Sequence, residues 1–177
     1  MPSAGSAGSA SSAGSASSAG GRGADAGFAA VYAAHYDPMI RLAGLTTGDL
    51  AAAEDIVQDA FVALYRRWPD VDEPAAWLRR VVANRSTSWL RRRMVARRHA
   101  GRHPTGPEVA PPPAAEDGAV RAALAGLSAR QRAAVFLRFY LDLSEAEIAV
   151  TLACRPGTVK SLLHRALRVL REVLDAD

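Results

Sequence analysis

The side chains near the C-terminus that could do chemistry are basic, hydroxyl and imidazole groups on one predicted helix. Apolar residues recur three and four positions apart through residues 157–174, which is typical of a helix with one buried face. Lysine and arginine can pair with guanine edges or phosphates, and serine and threonine hydroxyls can contact either. An ordinary solvated basic face fits the same spacing, but we favour recognition of DNA in the major groove. The candidates are Arg155 in the preceding turn and Thr158, Lys160, Ser161, His164, Arg165 and Arg168 in the helix.

Charge is distributed unevenly in the N-terminal half. Residues 49–73 hold seven acids and two bases, a balance of −5, whereas residues 79–103 hold nine arginines and no acid, a balance of +9. This pattern indicates two different partners, one basic and one polyanionic. Asp55, Gln58 and Asp59 share one helical face, because residues four apart lie one turn apart. Their spacing alone fits a solvated face as well as a docking face.

No arrangement typical of catalysis is found in the sequence. It contains no nucleophile with a partnered base, no glycine-rich phosphate loop and no pair of catalytic carboxylates. His99 and His103 have a spacing seen in metal sites, but no cluster of Cys or carboxylate residues accompanies them. We therefore expect no enzymatic activity, no metal and no cofactor.

The single cysteine and the hydropathy pattern indicate in which cellular compartment the protein is found. Cys154 alone excludes an intramolecular disulfide and is typical of a reducing environment. No stretch approaches the roughly 18 apolar residues of a membrane helix, and the N-terminus lacks the apolar segment of a signal peptide. The sequence predicts a soluble, cytoplasmic protein that does not bind membranes.

Helical periodicity runs through the foldable part of the chain, and no segment alternates as a strand does. A Thr-Thr-Gly cluster at residues 46–48 should end the first helix. Capping boxes beginning at Ser128 and Ser144 should start two later helices. The predicted fold class is all-α. The predicted helices run from Phe28 to the Thr-Thr-Gly cluster, over 49–68, from Pro74 to the arginines at 91–93, near 117–126, from 128 to about 140, from 144 to about 152, and over 157–174.

Two low-complexity segments divide the chain. Residues 1–27 contain 23 Ala, Gly or Ser residues without apolar periodicity, so we expect a disordered tail. Residues 100–117 are rich in proline and should form a flexible linker. Two small helical domains remain, at 28–99 and 118–177. In the second, a short capped helix, a tight turn and a longer basic helix have the pattern of a helix-turn-helix.

Five segments together resemble the extracytoplasmic-function sigma factors of the sigma-70 family, of actinobacterial type. LSARQRA at 127–133, SEAEIA at 144–149 and PGTVKSLLHRA at 156–166 are similar to the promoter-binding C-terminal domain. AEDIVQDAF at 53–61 resembles the polymerase-binding helix, and PAAWLRRVVAN at 74–84 the promoter-melting helix. The two halves stand in the family's order and cover nearly all of residues 28–174.

The resemblance implies an alternative sigma factor with two polymerase contacts. Asp55, Gln58 and Asp59 match the positions that dock on the clamp helices of the largest polymerase subunit, and the C-terminal domain would meet the flap. The resemblance also leaves room for an anti-sigma partner.

The resemblance divides promoter recognition between the two domains. Region 2, at 28–99, would contact the melted minus-ten strand through the loop at 68–75 and the third helix. Region 4, at 118–177, would read the double-stranded minus-thirty-five element through the residues already named for the last helix. The minus-ten candidates are Arg80, Asn84, Arg85 and Ser88, with Arg91 and Arg92 as phosphate contacts.

The chain departs from the family pattern at three positions of the C-terminal domain. Ala153 stands where the turn usually has glycine, and Arg155 where a capping serine is common. Leu162 stands where an arginine often follows Lys-Ser. These departures affect the expected minus-thirty-five specificity rather than the domain assignment.

Two other functions fit parts of the pattern. An autonomous helix-turn-helix regulator would use the same recognition helix but would leave the acidic helix unexplained. A polymerase-binding decoy of the anti-sigma type would bind polymerase without productive DNA contact. Substitution of the acidic residues or of the basic recognition residues separates the three.

Overall fold

The structure, a computed structural model, describes the backbone of residues 16–99 and 123–174 and the side chains of residues 25–96 and 123–173. Every regular element in these ranges is helical, which confirms the all-α class. No helix among them is long and apolar enough to cross a membrane. The elements are α1 (Ala16–Thr47), α2 (Leu50–Arg66), a 3-10 turn (Trp68–Asp70), α3 (Pro74–His99), α4 (Ala129–Phe139), α5 (Glu145–Thr151) and α6 (Pro156–Leu174), with a helical turn at 123–125.

Helix α1 begins earlier than its apolar periodicity predicts. It starts at Ala16 rather than at Phe28, within the segment predicted as a disordered tail, and residues 1–15 lie outside the described part of the chain. Alanine has the highest helix propensity, and extending an existing helix is far easier than starting one.

Two contacts anchor this extension to the rest of the N-terminal unit. The Tyr65 hydroxyl donates to the Asp25 carboxylate over 3.2 Å. The Trp68 ring packs so closely on Gly27 that an added Cβ would lie 3.3 Å from it. Phe28 then meets the Trp68 ring edge to face, with 5.4 Å between ring centroids. These tertiary contacts, which periodicity does not report, hold the part of α1 at residues 25–28 against α2 and the turn that follows it.

The predicted turn after α1 is present. Gly48 adopts φ 68°, a left-handed conformation that glycine reaches without strain. Asp49 caps α2 by accepting the Ala52 N–H over 3.1 Å, and its carboxylate pairs with Arg93 of α3 at 2.6 Å. The bond from Ala52 and the charge of Arg93 together hold the pKa of Asp49 below its ordinary value, although burial opposes them.

Helix α3 is longer than predicted at its C-terminal end. It continues to His99 instead of ending at the arginines 91–93. Arginine is a good helix former. Arg93 is also held on two sides, by the ion pair with Asp49 and by the Trp89 ring, whose centroid lies 4.9 Å from the guanidinium carbon. The arginine run therefore extends as an ordered, basic helix end.

Both predicted capping boxes are present in the C-terminal unit. Ser128 and Gln131 exchange side-chain and backbone hydrogen bonds at the start of α4, and Ser144 and Glu147 do the same at α5. The bonds from Ser144 lower the pKa of Glu147. Between α5 and α6, Ala153 adopts φ 48°, a left-handed conformation that is strained for an L residue other than glycine.

The two helical units pack on each other around one continuous core. Helix α4 lies against α1, and α5 lies against α3. Arg132 of α4 is only 3% exposed, and its Nε donates to the Leu45 carbonyl at the end of α1 over 2.6 Å. The predicted linker at 100–117 lies outside the described residues. The core includes Met39, Leu64 and Leu78 from the first unit and Leu137, Ile148 and Val159 from the second.

Candidate protein-docking and nucleic-acid interfaces

The acidic face predicted on α2 is exposed. The opposite face is buried and fixes the rotation of the helix, because Ile56, Val57 and Ala60 belong to the core. The polar residues therefore lie on the solvent side of the helix. The exposed polar residues are Glu54, Asp55, Gln58 and Asp59, so the three predicted docking residues share one surface.

One predicted docking residue is paired with one predicted DNA-binding residue. Arg85 Nη1 of α3 lies 2.9 Å from Asp59 Oδ2, and the two side chains are 40% and 75% exposed. An exposed pair of this kind contributes about 0.2–1 kcal/mol, so an external ligand can separate it easily. Sequence spacing does not reveal this contact, because the residues belong to different helices.

The minus-ten candidates follow α3 as a basic stripe. Positions 80, 84, 88 and 91 are spaced by three or four residues and therefore lie along one side of the helix. Arg80, Asn84, Arg91 and Arg92 are exposed, and Ser88 is half-buried. Leu78 and Val82 on the opposite side are fully buried. The structure therefore presents most of the predicted set to solvent, while Arg85 is held by Asp59.

A cavity of about 550 Å³ lies between the loop at 67–73 and the start of α3. Trp77 is half-buried against the core and lines this cavity together with Arg80. The cavity is large enough for a planar ring, and the loop supplies carboxylate acceptors. Those carboxylates belong to Asp70, Asp72 and Glu73.

One residue of the C-terminal unit contributes to the same cavity. Val150 of α5 lines it and is 66% exposed. Val150 is not among the residues predicted from the sequence. Its apolar side chain stands on the outer side of α5, opposite the buried Ile148, and that position is the signal that could have indicated a contact.

Helix α6 presents the predicted recognition residues on one face. Val159, Leu163 and Ala166 are buried against α4 and α5, which turns the polar side outward. Leu162 is half-buried and packs against the core, so it does not stand where an arginine would reach DNA. The exposed residues are Arg155, Thr158, Lys160, Ser161, His164, Arg165 and Arg168.

Two of the recognition residues make bonds within α6. The Ser161 hydroxyl donates to the Gly157 carbonyl over 3.0 Å and keeps its oxygen as an acceptor. Arg168 lies 3.7 Å from Glu172, one turn away, in an exposed pair. Neither contact links α6 to another helix.

An aromatic groove of about 510 Å³, which is not predicted from the sequence, adjoins the acidic face. Tyr65, which the periodicity places inward, is 55% exposed, and Tyr32 is 43% exposed. The four-residue spacing of the aromatic residues in α1 and α2 is the signal that could have revealed the groove. Its lining includes Phe28, Tyr32, Tyr36, Phe61 and Tyr65, with Glu54 and Gln58 at its edge.

Among the described residues, no three His, Cys, Asp or Glu side chains form a group that could hold a metal ion. The side chains of His99 and His103 lie outside that part of the chain. Cys154 is half-buried in the turn before α6 and forms no disulfide.

Comparison with known families places the two helical units in the same order as the sequence motifs. Residues 31–95 match the family model described as Sigma-70 region 2, and residues 117–170 match Sigma-70, region 4. The first match contains α2 and most of α3, and the second contains α4, α5 and most of α6.

Curated relatives match over most of their length. The chain is 38% identical over 172 residues to the ECF RNA polymerase sigma factor SigL of Mycobacterium tuberculosis, covering 86% of this chain and 93% of that protein. It is 37% identical over 147 residues to the RNA polymerase sigma-E factor of Streptomyces coelicolor, covering 79% and 81%.

Solved structures of similar proteins are complexes. One is the sigma factor RpoE with the anti-sigma factor NepR from Bartonella quintana, with TM-score 0.65, 27% identity and coverage of 80% of this chain and 92% of that one. Another is CnrH with the cytosolic domain of CnrY, with TM-score 0.60, 25% identity and coverage of 89% and 95%.

Proposed function

The chain belongs to the extracytoplasmic-function sigma factors of the sigma-70 family, and from this premise we propose how its own residues divide the work of starting transcription. It is an alternative sigma factor that binds core RNA polymerase and directs promoter-specific initiation, and it is not an enzyme. Polymerase supplies the catalysis.

The acidic face of α2 docks on the clamp helices of the largest polymerase subunit. Asp55, Gln58 and Asp59 are exposed on one side of a helix whose other side is locked in the core. Ionised carboxylates are strong acceptors for arginine and lysine, so this face suits a basic helical partner. This exposed acidic face is the observation that carries the proposal.

Region 2, proposed at 28–99, holds the melted minus-ten strand. The exposed arginines of α3 neutralise phosphates, which gives affinity and salt dependence. The cavity beside Trp77 and Arg80 has room for an unstacked base, and its carboxylates can accept hydrogen bonds from a base amino group. The proposed contacts are Arg80, Asn84, Arg85, Ser88, Arg91 and Arg92.

Region 4, proposed at 118–177, reads the minus-thirty-five element in duplex DNA and meets the polymerase flap. The buried side of α6 fixes which residues enter the major groove. The proposed contacts are Arg155, Thr158, Lys160, Ser161, His164, Arg165 and Arg168.

An anti-sigma factor is a further proposed partner. One similar solved structure is the sigma factor RpoE bound to the anti-sigma factor NepR. Another is CnrH bound to the cytosolic domain of CnrY. Since bacterial polymerase and promoter DNA are cytoplasmic, we place the activity in the cytoplasm.

Reconstitution with bacterial core polymerase tests the proposal. The purified chain should co-elute with core polymerase in size exclusion and should produce discrete run-off transcripts from its own genomic DNA. An Asp55→Arg/Asp59→Arg variant should lose co-elution, because like charges would then face each other across the interface. Glu172→Arg, which makes the same kind of charge change at the end of α6, should retain it.

Each other outcome has a defined meaning. A charge-reversed variant that still co-elutes overturns docking through α2. A wild-type chain that folds by circular dichroism but does not co-elute supports an autonomous regulator, and co-elution without transcripts supports a decoy.

A further inference from the structure

We propose that residues 25–28 of α1 position the loop that captures the melted strand. They pack on Trp68 and Tyr65, and through Trp68 they hold the loop at 67–73 in the shape that admits an unstacked base. We call residues 25–28 and the two aromatic side chains that they contact the brace. This inference rests on the proposed function, because it concerns the cavity proposed for the minus-ten strand.

The closest approach within the brace is between Gly27 and the Trp68 ring. A Cβ added to Gly27 would lie 3.3 Å from Trp68 Cζ2, which is closer than the roughly 3.5–4.0 Å at which two carbon atoms attract best. A Cβ added to Gly44 of the same helix would meet no atom of the described residues within 4 Å. Glycine is unfavourable inside a helix at either position. The close approach of the ring therefore gives Gly27 a role that Gly44 does not have.

Two further contacts hold the aromatic side chains of the brace. The Phe28 ring meets Trp68 edge to face, with 5.4 Å between centroids, and meets Tyr65 in the same way at 5.0 Å. Such edge-to-face pairs are favourable beyond the area that they bury. The Tyr65 hydroxyl donates to the Asp25 carboxylate over 3.2 Å. Two consecutive residues of α1 thus fix the Trp68 ring, and the same segment holds the tyrosine that precedes it by one helical turn.

Trp68 connects the brace to the cavity. It is the first residue of the 3-10 turn Trp68–Asp70, in which the Asp70 N–H donates to the Arg67 carbonyl over 2.8 Å. Pro69 restricts the backbone between them, because its ring fixes φ. Arg67 and Asp70 both line the cavity proposed for the unstacked base. A displacement of the Trp68 ring is therefore passed along a stiff turn to two residues of the cavity wall.

The brace is separate from the proposed docking surface. Asp55 and Asp59 precede Tyr65 by ten and six residues, or about 15 Å and 9 Å along α2. The hydrogen bond and the ring contacts of the brace do not involve either carboxylate. The arginines of α3 contact phosphates whatever the sequence, whereas a cavity that receives a base distinguishes between bases. The brace should therefore affect promoter discrimination and leave docking and sequence-independent affinity unchanged.

Strand binding by the reconstituted holoenzyme tests the brace. Fluorescence anisotropy measures its affinity for two labelled single strands, the non-template minus-ten strand of a promoter recovered by run-off and a scrambled strand of the same composition. The ratio of the two affinities reports base discrimination. Gly27→Val, which adds a stiff, branched side chain against the ring, should lower the ratio about tenfold, since one base contact is worth about that much. Affinity for the scrambled strand and co-elution with core polymerase should be unchanged.

Gly44→Val is the matched control, because it makes the same change in the same helix where the added Cβ meets open space among the described residues. It should keep the wild-type ratio. Valine is a better helix former than glycine, so the loss expected for Gly27→Val does not come from a weaker helix. Gly27→Ala adds only the Cβ and should give a ratio between those of the two valine variants. It keeps the test decisive if Gly27→Val fails to fold.

A double-mutant cycle tests whether Gly27 acts through Trp68. Trp68→Phe leaves a smaller ring beside position 27, so the added valine should then change the ratio by less than about twofold. An equal effect of Gly27→Val in the Trp68 and Trp68→Phe backgrounds overturns the brace.

The other outcomes separate failure of the brace from failure of the proposed function. A Gly27→Val holoenzyme that discriminates as well as the Gly44→Val holoenzyme overturns the brace alone, and so does an equal loss of affinity for both strands. A wild-type holoenzyme that binds the promoter strand and the scrambled strand equally overturns base capture by the cavity, and the brace with it.

Discussion

The two helical units use polar side chains in different ways. In the N-terminal unit, two acid and arginine pairs cross from α2 and its cap to α3, Asp59 with Arg85 and Asp49 with Arg93. In the C-terminal unit, each capping box and each side-chain polar bond of α6 named above stays within one helix and its cap. The binding surfaces of the first unit are therefore coupled to each other, whereas the recognition face of the second is turned outward without such a constraint.

The largest effect is expected for DNA binding by the recognition face of α6. Lys160→Ala/Arg165→Ala should weaken binding of duplex minus-thirty-five DNA about 100-fold, since one good base or phosphate contact is worth about tenfold or more. Fluorescence anisotropy on the promoter recovered by run-off measures this. Arg171→Ala is the control, and equal affinity of both variants would contradict a recognition role for the α6 face.

The next largest effect is expected on the stability of the protein, at Asp49, which caps α2 and pairs with Arg93 of α3. Asp49→Ala should lower the free energy of unfolding by about 1–2 kcal/mol at neutral pH, because it removes both an N-cap and the partner of Arg93. The pKa of Asp49 is depressed in the folded state, so this stability is present above the unfolded pKa and is lost as the pH falls through the folded one.

Urea unfolding at a series of pH values measures the Asp49 effect. The difference between wild type and Asp49→Ala should shrink on acidification, whereas the difference made by Ser128→Ala, a cap with no charge of its own, should not follow the titration of Asp49. A constant Asp49→Ala difference would show that the carboxylate charge is not involved.

A smaller effect is expected at the turn of the C-terminal unit. Ala153→Gly should raise the free energy of unfolding by about 0.5–1 kcal/mol, because glycine adopts the left-handed conformation without strain but loses more chain entropy on folding. Thermal unfolding detects it as an increase of about 1–4 °C in Tm. A decrease would show that the Ala153 methyl group contributes more through packing than the conformation costs.

The smallest effect is the coupling within the Asp59 and Arg85 pair. Asp59→Ala should leave Arg85 unpaired and raise affinity for single-stranded DNA about twofold, as expected for an exposed pair. A double-mutant cycle with Arg85→Ala isolates the coupling energy between the two residues. High salt should abolish this coupling. If the effects of the two single substitutions on affinity add up in the double variant, the two residues act independently. The contrast between the two units would then disappear.

Local signals were sufficient to predict much of this molecule. The capping boxes at Ser128 and Ser144, the turn at Gly48 and the exposed faces of α2 and α6 each follow from residues within one or two helical turns. Helical periodicity places such residues reliably, because one buried face fixes the other.

What the sequence did not predict depends on contacts between distant segments. The extension of α1 rests on Asp25 and Tyr65, the length of α3 on Asp49 and Arg93, and the position of Val150 on the packing of the two units. None of these pairings leaves a periodic signal, since each joins residues of different helices. The candidate site could therefore be listed from sequence, but not its internal pairing.

The pair formed by Asp59 and Arg85 has a thermodynamic consequence. A partner that engages Asp59 releases Arg85, and a nucleic acid that engages Arg85 releases Asp59. Linkage requires the two effects to be equal, so each ligand strengthens the binding of the other by the same factor. A small surface ion pair can thus act as a reciprocal coupling between protein docking and strand capture.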